Sequence, residues 1–160
     1  MSTTPSALEW STEGCPISGT MTILGERRTL VVLREVFNGI RRFDDLRIRT
    51  AIPRQVLSNR LAKLVDHGIL RRVPYREPGA RQRDEYRLTE KGFDLYPLLI
   101  AIRDWGDKYL VGDEGSPLTI THRDCGAVVH TEIHCESGHH VTSPRDAVPR
   151  PGPGAVKRRT

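Results

Sequence analysis

The chain has 160 residues, 37% of them hydrophobic and 28% charged, with a formal net charge of +5. That length suits one domain of ordinary size with small appendages, and no apolar run approaches the ~18 residues a membrane-spanning helix needs. The opening MSTTPSALEWSTEG lacks the basic-then-apolar pattern of a secretory leader, and three cysteines make no disulfide framework, so a cytoplasmic protein is expected.

The charge is unevenly spread. Residues 27–91 hold 17 Lys/Arg against 8 Asp/Glu, a balance of +9, while the remainder is net acidic. A basic field concentrated in one segment is the electrostatic footprint of a polyanion binder.

Residues 1–14 are polar and small and read as a flexible arm. After Cys15-Pro16, the residues Ile17, Met21 and Leu24 recur at helical spacing and Gly25 closes the segment. A helix is predicted over 28–37, with Leu30, Val31, Leu33 and Val36 or Phe37 inward, stopped by Asn38-Gly39. FDDLRIRT (43–50) reads as a short helix with Phe43 and Leu46 in the core and Asp44 or Asp45 favouring its N-terminus.

Across a short turn lies PRQVLSNRLAKLVDH, residues 53–67. Leu57, Leu61 and Leu64 stack on one helical face. Pro53 suits the start of such a helix and Gly68 its end. Arg54, Gln55, Ser58, Asn59, Arg60 and Lys63 remain for other faces. Arg, Gln, Asn and Ser are the types that read base edges and grip phosphates, so this is the expected recognition helix of a helix-turn-helix.

The period then changes. Residues 69–75 and 83–88 read as two strands around the turn Glu77-Pro78-Gly79-Ala80, with Arg76, Arg81 and Arg83 at a basic tip. Two helices of a helix-turn-helix followed by a hairpin are the order of a winged domain, whose wing contacts the DNA backbone or minor groove. A long helix is predicted over 93–110, with Pro97 either bending it or marking its effective start, and an apolar stripe of Leu95, Leu98, Leu99, Ile102, Trp105 and Tyr109. That stripe exceeds what a small domain needs for its own core, so it is read as the dimerisation element of a homodimer facing a pseudo-palindromic site.

After a Gly/Asp linker, residues 117–148 read as a small β-ribbon extension around Asp124-Cys125-Gly126, and the Pro/Gly-rich residues 149–160 as a disordered basic tail. His122, Cys125, Cys135 and His139 have ligand types and approximate spacings of a zinc ribbon. The second C-x-x-C knuckle is incomplete, with Gly138 where a cysteine would stand. No cofactor is therefore assigned, and zinc on those four residues is kept as the alternative.

The residues together resemble a known family. Cys15-Pro16, Leu24-Gly25, Arg28-Thr29-Leu30, Leu33-Arg34-Glu35 and Gly39-Ile40-Arg41-Arg42-Phe43-Asp44-Asp45-Leu46 fit it in order. So do Leu57-Ser58-Asn59-Arg60-Leu61 and Tyr86-Arg87-Leu88-Thr89-Glu90-Lys91-Gly92. Over residues 15–110 the chain looks like the HxlR-type winged helix-turn-helix regulators of bacteria, relatives of the MarR group. The resemblance implies a mainly α fold with a β-hairpin wing (α+β) and a dimeric, double-stranded-DNA-binding transcription factor. It departs from the pattern at Arg28, where members often carry Trp. In some similar proteins the cysteine before the first proline senses oxidants, which makes Cys15 a candidate redox sensor beside the plainer reading of a small residue at a dimer contact. A small-molecule or oxidant effector is an open partner.

Nucleophile-elbow, Walker-type and H-E-x-x-H motifs are absent from the sequence, which is read as non-enzymatic. The leading expectation is a sequence-specific DNA-binding regulator. The alternatives are a protein-interaction or zinc-ribbon module on a winged-helix scaffold, and a redox-sensing regulator acting through Cys15.

Overall fold

The computed structural model describes residues 9–158. They fall into two compact units, Met21–Thr131 and a terminal unit pairing the segment up to Thr20 with Glu132 onward.

In chain order the helices and strands are α1 (Pro16–Leu24), α2 (Arg27–Phe37), α3 (Phe43–Thr50), α4 (Arg54–Asp66), β1 (Leu70–Tyr75), β2 (Arg83–Leu88), α5 (Glu90–Phe93) and α6 (Tyr96–Tyr109). This is an α+β winged helix-turn-helix, as expected. Leu57, Leu61 and Leu64 of α4 are fully buried against Val32, Leu33 and Val36 of α2, Leu46 of α3, and Ile69 and Leu70 at the hairpin base. Full burial of such side chains stabilises by about 1.5–3 kcal/mol each.

The inward face of α2 differs from the predicted one. Val32 is buried while Leu30, Val31 and Phe37 are only half-buried, so the stripe is rotated by about one residue. Glu35, buried at 1% exposure, shares that face. Its carboxylate accepts from Arg34 Nε at 2.9 Å and from Arg49 Nε at 3.2 Å, tying α2 to α3. A buried carboxylate is tolerated because it is paired and hydrogen-bonded.

The wing is a two-stranded antiparallel sheet in the register Leu70↔Leu88 through Tyr75↔Arg83. An element invisible to sequence patterning anchors it: Arg42 bridges Glu85, and the Tyr86 N–H donates to the Arg41 carbonyl at 2.8 Å. The segment before α3 thereby acts as a third, one-bridge strand and ties the wing to the helix-turn-helix. At the hairpin base, Thr89 Oγ1 donates to the Gly68 carbonyl at 2.6 Å and accepts from the Gly92 N–H at 3.1 Å. Gly92 is required there, since a Cβ would lie 2.3 Å from the Ile69 carbonyl oxygen.

Of the two outcomes predicted for Pro97, it marks the effective start: the long helix runs Tyr96–Tyr109, and Glu90–Phe93 before it form the separate turn α5. Pro97 lies in the first turn of α6, where proline is compatible with helix, and α5 is a single turn capped by Thr89. Leu95, Leu98 and Leu99 pack on the core beside buried Ile100, which the predicted stripe omitted.

Residues 117–148 form no strand longer than one bridge. Within Met21–Thr131, Thr121 bridges Val128 around the turn at Gly126. In the terminal unit, His134 bridges His140. Where composition predicts a flexible arm and a disordered tail, residues 9–11 and 156–158 pair through Ser11 N–H to the Val156 carbonyl and Arg158 N–H to the Glu9 carbonyl, both 2.8 Å. The ends of both predicted segments, residues 1–8 and 159–160, lie outside the described residues.

Candidate nucleic-acid interface

The turn before α4 sets its direction. Ala51 adopts the left-handed conformation (φ 52, ψ 21) and donates its N–H to the Arg47 carbonyl at 3.0 Å, closing α3. Thr50 Oγ1 then accepts from the Ile52 N–H at 3.3 Å, and buried Ile52 plugs the turn into the core. Pro53 precedes the first turn of α4 and supplies no side-chain acceptor to it. The first-turn amide donors of α4 are therefore suited to an anion, by direction and by helix dipole.

Arg54, Gln55, Ser58 and Asn59 are exposed together on the N-terminal half of α4. Gln55 Nε2 donates to Asn59 Oδ1 at 3.0 Å, which pre-orders two amide side chains one helical turn apart. The Arg54 side chain is 76% exposed; its guanidinium lies 5.1 Å from the Phe43 ring centroid and 3.9 Å from Asp44 Oδ1.

Asp44 faces the wing as well, with its other oxygen 3.4 Å from Arg83 Nη1. One carboxylate therefore stands between a cation of α4 and a cation of the wing. Between these elements runs an open groove of about 700 Å³, lined by Arg42, Asp44, Arg54, Tyr75, Arg81 and Arg83 among others. Arg81 is exposed at the entry to β2. Arg76 serves the wing turn itself, its Nε donating to the Ala80 carbonyl at 3.1 Å.

Two of the predicted recognition residues point elsewhere. Arg60 pairs with Glu26, just before α2, and its side chain is only 19% exposed. Lys63 Nζ donates to the Thr22 carbonyl at 2.7 Å. Both lock α4 against the preceding helices instead of joining Gln55 and Asn59.

Of the lining residues, only Arg54, Arg81 and Arg83 are predicted site residues; three of the others, Arg42, Tyr75 and Glu77, form a cluster. The Arg42 guanidinium sits 4.6 Å from the Tyr75 ring centroid, and its Nη1 donates to Glu77 Oε1 at 2.6 Å. The Glu77 hydrogen bond holds Arg42 still more firmly protonated than a free arginine. Thirty-five positions separate Arg42 from Glu77, so no local spacing could have announced the cluster; the basic pair Arg41-Arg42 was the only signal.

The predicted dimerisation residues divide. Leu95, Leu98 and Leu99 serve the domain's own core, while Ile102, Trp105 and Tyr109 are 44%, 58% and 59% exposed. Trp105 and Tyr109 meet with ring centroids 5.4 Å apart and planes tilted by 49°. Beside them an apolar cavity of about 260 Å³ is lined by Leu30, Phe37, Tyr96, Leu99, Ile102 and Ile120 among others.

Cys15 is a free, half-buried thiol one residue before α1. Of the alternative zinc ligands, His122 Nδ1 lies 3.4 Å from Cys125 Sγ, and His139 Nδ1 lies 3.4 Å from Cys135 Sγ. Each pair occupies its own turn.

An exposed polar helix face, a basic wing beside it and a groove joining them are the working parts of the winged helix-turn-helix regulators of transcription, and the fold is theirs. The model of the HxlR-like helix-turn-helix family matches residues 23–114, and the chain belongs to that family. It is 42% identical over 143 residues to the uncharacterized HTH-type transcriptional regulator Rv3095 of Mycobacterium tuberculosis, covering 89% of each chain. It is 33% identical over 98 residues to the regulator YdeP of Bacillus subtilis, covering 61% of this chain and 75% of that one. Among solved structures, PA1607, described as a candidate transcription factor, superposes with a TM-score of 0.76 at 32% identity, over 86% of this chain and 96% of that one. The redox regulator HypR in its reduced form superposes with a TM-score of 0.53 at 28% identity, over 58% of this chain and 91% of that one. No helix among the described residues is long and apolar enough to cross a membrane.

Proposed function

We propose that this chain is a sequence-specific regulator that binds double-stranded DNA as a homodimer. The carrying observation is the joint exposure of Arg54, Gln55, Ser58 and Asn59 on α4, next to a groove whose far wall is the basic wing. A major groove admits an α-helix, and its base edges match these side chains: Arg for guanine, Gln or Asn for adenine. Arg81 and Arg83 would then meet the adjacent backbone or minor groove, fixing register without reading sequence. The partly exposed apolar side chains Ile102, Trp105 and Tyr109 supply a self-complementary surface for a two-fold dimer, which would present two α4 helices one DNA turn apart.

The test is anisotropy-monitored binding to DNA flanking the chain's own gene, against a random duplex, at several salt concentrations. Phosphate contacts make log K fall with log salt by about 0.9 per neutralised phosphate. Specific binding should exceed non-specific binding by roughly a thousandfold or more. Equal affinity for both duplexes at every salt would overturn the specific reading, and sedimentation of a monomer on DNA would overturn the dimer.

A second reading takes the half-buried, free thiol of Cys15 as an oxidant sensor that alters DNA affinity, and the likeness to a redox regulator, HypR, is compatible with it. Alkylating Cys15 in the native protein tests it, and unchanged DNA binding of the modified protein sinks it.

A further inference from the structure

We infer that Glu132, His134 and His140 form a transition-metal site, with zinc as the ion, distinct from the ribbon-type set read from the cysteine spacing. Their ligand atoms all lie within 4.8 Å of one another, the one such group of three or more among the described residues. Glu132 Oε2 is 3.4 Å from His134 Nε2 and 3.7 Å from His140 Nδ1. A tetrahedral zinc with bonds of about 2.0–2.1 Å places its ligands roughly 3.3 Å apart, so little movement would complete the geometry.

The backbone builds this convergence. Glu132 and His134 are two apart on extended chain, which puts both side chains on one face. His134 and His140 are an antiparallel bridge pair, flanked by Cys135 N–H to the His139 carbonyl at 3.0 Å and Val141 N–H to the Ile133 carbonyl at 2.8 Å. Those two bonds leave 134 and 140 as a non-hydrogen-bonded pair, the arrangement that brings side chains closest. Their ring centroids are 4.2 Å apart. The turn between them closes through Gly138, at φ 83, whose N–H donates to the Cys135 carbonyl at 2.8 Å. The glycine that spoils a second zinc knuckle is thus the residue that makes the His134/His140 pair.

The same alternation sends Cys135 and His139 to the opposite face, where they pair with each other at 3.4 Å. The site is therefore nitrogen and oxygen only. Two imidazoles and one carboxylate suit zinc, whereas magnesium and calcium require mostly oxygen ligands. Three protein ligands leave a fourth position for water or an outside donor.

The experiment is calorimetric titration of Zn(II) alone into the metal-free full chain, with Co(II) substitution read by absorption. One zinc per chain is expected, with a higher melting temperature on loading because the ion binds the folded form. His134→Gln, His140→Gln and Glu132→Gln should each weaken binding at least about tenfold, the low end of what even outer-shell changes cost. Cys135→Ser and His122→Gln should leave it unchanged, and the Co(II) spectrum should lack thiolate charge-transfer intensity. All three ligand residues are exposed; equal melting temperatures of the metal-free variants separate loss of a ligand from loss of fold. The inference is overturned by absence of stoichiometric zinc binding. It is equally overturned if Cys135→Ser abolishes binding and the cobalt complex shows thiolate bands, because the cysteine set would then hold the ion.

Discussion

Arg60, in the middle of α4, is paired with Glu26 just ahead of α2 and does not stand beside Asn59 on the exposed face. The pair orients α4 from behind. Arg60→Ala should lower stability by about 1 kcal/mol, a modest figure because Glu26 is half exposed to solvent. DNA affinity, measured where the variant is fully folded, should drop less for Arg60→Ala than for Asn59→Ala. Urea unfolding and anisotropy together decide it; the opposite ranking would return Arg60 to the reading face.

Arg54 and Arg81 line the same groove but should differ in what they contribute. Arg54→Ala removes a side chain poised at the N-terminus of α4 and should cost about 1–3 kcal/mol at one operator position while relaxing choice there. Arg81→Ala should weaken all duplexes alike and make the salt slope shallower by roughly one phosphate contact. Binding to a panel of single-base operator variants at two salt concentrations distinguishes these patterns.

Ala51 holds the left-handed conformation that a side chain resists and glycine accepts. Relief of about 1–2 kcal/mol of local strain outweighs the roughly 0.5–1 kcal/mol that glycine's greater chain freedom costs. Ala51→Gly should therefore raise the denaturation midpoint slightly without altering DNA affinity. A lower midpoint would show that the Cβ packs usefully in the turn.

Asp104 links acid stability to the segment after α6. Burial pushes its carboxyl upward, but the Thr131 N–H at 2.8 Å, the Arg103 guanidinium at 2.7 Å and nearby His130 outweigh that and hold it below its ordinary value. A carboxylate with a lowered folded-state pKa adds stability above its unfolded pKa and loses it as pH falls through the folded one. Asp104→Asn should lower stability at neutral pH and reduce the loss seen on acidification below the ordinary carboxylate range. Unfolding curves across that range for both proteins provide the measurement.

The three leucines of α4 and the turn residues of the wing were legible because each obeys a local rule. Leu57, Leu61 and Leu64 repeat at helical spacing and are all fully buried. Glu77 to Ala80 closes as a turn, with the Ala80 N–H on the Glu77 carbonyl at 3.0 Å. The zinc-type spacing of His122, Cys125, Cys135 and His139 was also legible, yet it says nothing about which face each side chain takes.

Local pattern by itself determined the order of elements from the helix-turn-helix through the hairpin, the helix that carries the polar face and the excess of positive charge around it, since periodicity, turn chemistry and composition act over a few residues. Only the tertiary structure decided how those residues are used. Arg60 and Lys63 were claimed by Glu26 and the Thr22 carbonyl. Arg42 met Tyr75 and Glu77. His140 came opposite His134. Each outcome rests on a partner distant in sequence or on a strand register, and a charged side chain's direction follows the partner it finds.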